Sequence, residues 1–306
     1  MIKSVTVINH LGESLKMELK RPDTSGFYII SIDGLGPTKA AINITEKATM
    51  DGASYNSARV NSRNIVMHLG FMFANDAEEV RHKSYKYFPL KKRITIRIET
   101  DTRICETYGY VESNEPDIFS NGETTQISII CPDSYFYDAS YNSKNIATFV
   151  GTDPNFEFPF SNESLSDSLI VFGEIRDDVE KPVFYSGDVD VGANIYIRST
   201  GDVSNITIYN LSAGERMVIK TERLKALFGT QTEIIDKDEI IISTFVGRKS
   251  ITLRRNGMSY NIINCLDKNS DWFQLMRGDN VFSYEADKGM EFLQFRVEYI
   301  NAYEGV

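Results

Sequence analysis

Almost everywhere in this chain, apolar side chains recur at every second residue, and only one stretch repeats with helical spacing. The run Thr125–Cys131 shows the rule. Thr125, Ile127, Ile129 and Cys131 fall on one side of an extended backbone, and Gln126, Ser128 and Ile130 on the other. That is a strand with one buried face. Pro132 has no N–H for a ladder and ends it. Further strands are predicted at Lys3–Asn9, Phe27–Ile32, Ala40–Lys47, Asn64–Phe73, Lys92–Glu99 and Thr102–Glu112. In the second half they are predicted at Ser168–Ile175, Val183–Ser186, Asn194–Arg198, Asn205–Leu211, Arg216–Lys220, Glu239–Thr244, Ser250–Arg254, Asp271–Leu275, Val281–Glu285 and Glu291–Tyr299. Short strands separated by Gly, Asp and Asn turns build antiparallel sheets, so the second half reads as a sandwich.

The helical stretch follows Asp76, which has capping-box spacing to Glu79. Glu78/His82 and Glu79/Lys83 stand four residues apart in the favourable order. Ala77, Val80 and Tyr87 share a face, and Pro89 stops the helix. Asp33–Pro37, Ser113–Asp117 and Ser120–Gly122 have the composition of turns, and Met50–Ser57 that of a loop. Asp133–Tyr137 reads as the exit from a first domain.

With 306 residues, the chain exceeds what one hydrophobic core usually supports, so two domains are expected. The net charge of −10 locates the boundary. Up to Tyr137 there are 16 Lys and Arg against 17 Asp and Glu, and the remainder holds 17 against 26. We therefore expect domains at 1–137 and 138–306, the second acidic. A field of that sign does not favour DNA or anionic lipid. The amino-terminal run alternates like a strand and has no signal-peptide core, and no apolar stretch approaches the roughly 18 residues of a membrane helix. Cys105, Cys131 and Cys265 lie far apart without a Cys-x-x-Cys pair and read as buried, reduced thiols.

Catalytic patterns are missing. His10, His68 and His82 have no zinc spacing, and no P-loop, Gly-x-Ser-x-Gly elbow or Gly-x-Gly-x-x-Gly occurs. Gly34-Leu35-Gly36 lacks the third glycine and the helix of a phosphate cradle. A glycosidase needs only two carboxylates, but Asp188/Asp190, Asp236/Asp238/Glu239 and Glu115/Asp117 read as solvated turns. Trp272 beside Phe273 reads as a core or interface aromatic, or as a platform for a sugar. No cofactor, metal or enzymatic activity is expected from these residues.

Ser31–Ala40 and Asp51–Val60, with Arg63-Asn64-Ile65-Val66, Tyr85–Pro89 and Gly109–Asp133, resemble the amino-terminal domain of distal tail proteins of phages infecting Gram-positive hosts. Trp272–Leu275, Gly278-Asp279-Asn280 and Tyr303-Glu304-Gly305 are similar to the carboxy-terminal, galectin-like domain of the family's larger members. The resemblance implies a mainly β fold: an amino-terminal barrel or sandwich with one α-helix, then a galectin-like antiparallel β-sandwich. It implies a structural hub made in the host cytoplasm and carried at the virion's tail tip. There the family forms a hexameric ring joining the tail tube, the tail-tip protein and, in many phages, receptor-binding proteins. No cofactor or catalytic residue is implied.

On that basis Asp51, Tyr55, Arg59, Tyr85, Tyr87 and Phe88 are candidate subunit or tube contacts. Glu112, Glu115 and Asp117 are expected to crown a hairpin that meets a neighbour. The alternative is a carbohydrate-binding module that reads a cell-wall sugar through Trp272; a wall hydrolase ranks behind both.

Overall fold

The computed structural model describes residues 1–49, 51–72, 77–119, 123–140, 144–150, 152–153, 174–175 and 180–306. The protein is mainly β and divides into two compact units, Met1–Ser143 with Ala302–Val306, and Lys144–Asn301. The expected boundary at 137 thus leaves two short pieces of the first unit on the wrong side.

The first unit contains β1 (Ile2–Ile8), β2 (Ser14–Glu18), β3 (Phe27–Asp33), β4 (Ala40–Glu46), β5 (Ala53–Val60), β6 (Arg63–Phe71), α1 (Ala77–Tyr87), β7 (Arg93–Thr100), β8 (Ile104–Asp117), β9 (Thr124–Cys131) and β10 (Phe136–Asp138). The main sheet runs β2-β1-β7-β8-β9-β6-β3, all neighbours antiparallel. Alternation decides its inner face. Val5 and Val7, Leu15 and Met17, Ile65, Met67 and Leu69, Ile94, Ile96 and Ile98, and Ile127 and Ile129 close one core with Phe27, Phe88 and Phe136. Helix α1 turns Val80 and Ser84 inward. Lys83 does not pair with Glu79; its ammonium donates to the Ser25 carbonyl at 2.7 Å. The Asp76 cap lies outside the described residues.

Three expectations need correction. Ser113–Asp117 is not a turn but the far end of β8, paired with β9 beyond a register shift between Val111 and Ser113. Strand β7 accompanies β8 only as far as Tyr110, so Pro116 sits where β8 has β9 alone and no second ladder is interrupted. Of Met50–Ser57, residues 53–57 are not a loop but belong to β5, the second strand of a ribbon with β4. Their small polar side chains read as loop because neither face is buried. The exit also comes later than Asp133–Tyr137, since Tyr137 of β10 pairs with Glu106, and Phe136 with Tyr303 of the terminal strand Ala302–Tyr303.

The second unit packs two antiparallel sheets. One orders Asn145–Val150, Leu293–Tyr299, Asn194–Ser199, Glu239–Ser243, Ser250–Arg255 and Met258–Asn261; the other orders Lys181–Tyr185, Gly278–Lys288, Ser204–Asn210 and Glu215–Ile219. Tyr284 of the second sheet stacks on Phe295 of the first, ring centroids 4.0 Å apart, as the facing layers of a sandwich do. Asp271–Leu275 is not a ladder strand. The stretch leading to it runs along the outer edge of Glu215–Ile219, where Asp267 and Asp271 N–H donate to Val218 and Arg216 carbonyls at 2.8 Å each. It covers an edge that would otherwise be open. Of Ser168–Ile175, Glu174–Ile175 pairs with Thr152–Asp153; the rest lies outside the described residues.

Candidate assembly surface of the first unit

The ribbon of β4 and β5 springs from the turn after β3. Gly34 has φ +84°, and a Cβ there would lie 2.0 Å from the Asn64 carbonyl oxygen, so no other residue fits. Beneath the turn lies Arg63, which is fully buried. Its Nη1 donates to the Gly34 carbonyl and to that of Gly36 at 2.6 Å. Nε and Nη2 both donate to Ser134, at 3.0 and 2.7 Å, and Nη2 also donates to Glu304 at 2.6 Å. The guanidinium carbon sits 4.4 Å over the Phe136 ring. Burial pulls its pKa below the ordinary arginine value. Five donors in a fixed fork suit a site made of carbonyls from three chain segments.

Beyond this root the ribbon is exposed. Ile42 opposes Ala58 and Ile44 opposes Tyr55, with a register shift between Asn43 and Ile44. The shift leaves Asn56 as an extra residue in β5, so Tyr55 and Ala58 both share the face of Ile42 and Ile44. Ile42 is 64% exposed, Ile44 53% and Tyr55 67%. Arg59 opposes Ala41 and therefore lies on the other face. Among the described residues Arg59 makes no ion pair. Asp51 is exposed where the ribbon turns back.

The remaining candidates separate. Tyr85 is exposed on α1, whereas Tyr87 packs against the core. Phe88 is 1% exposed and beyond the reach of a neighbouring chain, which corrects its assignment as a contact. Glu112 and Glu115 lie along β8 instead of crowning the hairpin, Glu112 accepting from Ser128 Oγ at 2.8 Å. Asp117 alone reaches the tip, next to Ile118 and a 95% exposed Phe119. Arg63, Ile42, Ile44 and Phe119 were not among the sequence candidates. Ile-x-Ile in β4 signals one apolar face; nothing in it says that the face stays uncovered.

In the second unit, Trp272 is half-buried, with the Lys249 ammonium 5.3 Å over its ring. Asp238 is no solvated turn residue. It is buried against Arg255, Nη2 to Oδ2 2.5 Å, and Arg255 also lies 4.4 Å over the Phe228 ring. All three cysteines are buried and free. Burial pushes the Cys131 thiol up to about 11, against the opposing charge of Arg63.

Residues 186–303 match the family model of the siphovirus-type tail component, C-terminal domain. Among solved structures the chain is similar to Dit of phage SPP1, described as a paradigm of the hub adsorption apparatus in Gram-positive infecting phages. The TM-score is 0.61 at 10% identity, over 97% of this chain and 98% of that one. It also matches a chain of the phage p2 baseplate in its strontium-activated conformation, at TM-score 0.45 and 12% identity, over 97% of both chains. No curated protein matches it in sequence. The second unit thus carries a siphovirus-type tail-component domain, and the chain as a whole has the fold of SPP1 Dit.

Proposed function

We propose that this protein is a non-enzymatic hub of a phage tail tip. Six copies close into a ring through their first units, and the ring joins the tail tube to the tail-tip protein and to receptor-binding proteins. The observation that supports this reading is the ribbon. A two-stranded antiparallel ribbon is marginal in water on its own, and this one turns Ile42, Ile44 and Tyr55 into solvent on one face. Fully burying an isoleucine is worth about 1.5–3 kcal/mol relative to full exposure, so covering what remains exposed of Ile42 and Ile44 stabilises each joint of a closed ring by roughly half of that per side chain. Ring closure needs two different complementary faces per subunit; the ribbon is one, and the outermost strands β2 and β3 offer edges for the other.

The test is the solution mass of two variants, Ile44→Asp with Tyr55→Ser, and Arg59→Glu. The first is expected to abolish the assembled species and the second to weaken it, both with the far-UV circular dichroism of the folded wild type. Undiminished assembly in the double variant would remove the ribbon from the interface.

A further inference from the structure

The first unit is not finished when the chain leaves it. Ala302 and Tyr303 return to pair with Tyr137 and Phe136, and Arg103 lies 4.3 Å over the Tyr303 ring. Glu304 then offers its carbonyl to Arg63, and Val306 N–H donates to the Leu35 carbonyl at 3.1 Å. Gly305 is pressed against the same turn: a Cβ there would stand 3.0 Å from the Leu35 oxygen and 3.3 Å from Gly36. Leu35 and Gly36 lead directly into β4. On the other flank, Ser134 Oγ donates to the Asn61 carbonyl at 2.5 Å and Thr38 Oγ1 to the Ser134 carbonyl at 3.3 Å. The ribbon has no core of its own, so its root alone fixes its direction. Residues 302–306 hold the entering strand of that root.

We infer that Ala302–Val306 is a strap that orients the β4–β5 ribbon, and that the ribbon becomes ordered for assembly only after the second unit has been made and the chain has returned. Synthesis runs from the amino terminus, and domains fold as they emerge. Residues 1–143 therefore precede the strap by the whole of 144–301. Until it arrives, the Arg63 fork lacks one acceptor and the Leu35 carbonyl lacks its donor. A chain interrupted within the second unit keeps a loose ribbon and is kept out of the assembly. The strap stands on contacts within one chain; its consequence for assembly rests on the hub reading above.

Backbone hydrogen exchange of the wild type is compared with a variant lacking residues 302–306 and with Gly305→Val, which keeps the Ala302–Tyr303 pairing but crowds the Leu35–Gly36 turn. Amides of 40–60 are expected to exchange about tenfold faster or more in both variants, while β6, β8 and β9 keep their protection, as for a locally opened segment. Unchanged exchange at 40–60 in both variants would overturn the strap. Equal loss of protection throughout the first unit would also overturn it, since residues 302–306 would then support the whole unit and not the ribbon. Light scattering on the same samples separates the two claims: a loosened ribbon with undiminished assembly keeps the strap and rejects the hub reading of the ribbon.

Discussion

Arg63 Nη2 donates to the backbone carbonyl of Glu304 at 2.6 Å, across 241 positions of sequence. The remaining N–H groups of the guanidinium go to Gly34, Gly36 and Ser134. A cation buried among carbonyls, without a carboxylate bonded to it, is held by hydrogen-bond geometry and by the Phe136 ring.

Removing that fork takes the guanidinium donor from the Gly34, Gly36 and Glu304 carbonyls and empties the space over Phe136; a hydrogen bond to a charged group is worth about 1.5–3 kcal/mol. Arg63→Ala is therefore expected to destabilise the first unit by about 3 kcal/mol or more in urea unfolding. Arg63→Lys keeps the charge but not the planar fork, and is expected to recover less than half of the loss. Full recovery by lysine would mean that charge, not geometry, holds the root.

Two neighbouring ion pairs of the second unit should differ sharply. Asp238→Ala strands the buried Arg255 charge and is expected to cost about 3–5 kcal/mol. Arg254→Ala breaks a pair with Glu239 in which Arg254 is well exposed, and is expected to cost less than about 1 kcal/mol. Denaturant titration of the two variants compares them directly; equal losses would show that the burial of Asp238 is not the decisive difference.

Cys131 should be inert while the protein is folded. Its thiol is buried and pushed up to about 11, so little thiolate forms at mildly alkaline pH. A thiol reagent at about pH 8 is expected to leave Cys131 unlabelled in the native protein and to titrate three thiols after unfolding. Rapid native labelling of Cys131 would place it outside the core.

Glu215 gives the second unit a pH dependence. Burial, and then the neighbouring Asp271 carboxylate, raise its pKa above the ordinary carboxylate value, and its Oε2 is buried without a hydrogen bond. The folded state therefore binds the proton more tightly than the unfolded state. Its contribution to stability is greatest at acid pH and is lost as pH rises through the raised value. Glu215→Gln is expected to raise the thermal midpoint at neutral pH and to give no gain below about pH 4, where the unfolded carboxyl is also protonated. An equal gain at both pH values would point to packing instead of charge.

What was legible in the sequence follows where side chains meet a core. The alternation of Ile127 and Ile129, or of Ile240 and Ile242, is written directly by one buried face. Strand β5 was invisible because both its faces are exposed and its pairing rests on backbone bonds that any polar run can make. Ser113–Asp117 carries turn residues, yet a bulge and the end of β7 let it continue as strand. Phe88 follows the exposed Tyr85 by three residues in a motif read as surface, but the chain turns it inward after α1. Arg63 looked like one of many cations; its importance comes from carbonyls at Gly34, Ser134 and Glu304 that only the folded chain brings together. The return of Ala302–Val306 is likewise a long-range pairing with no local signature.

The central claim is self-assembly through the first unit. Its most direct test is the light-scattering mass of the purified protein, alone and mixed with its tail-tube protein, with electron micrographs of the main species. The account predicts a ring of six times the 34.7 kDa chain mass with an open channel. A monomer under both conditions would contradict it.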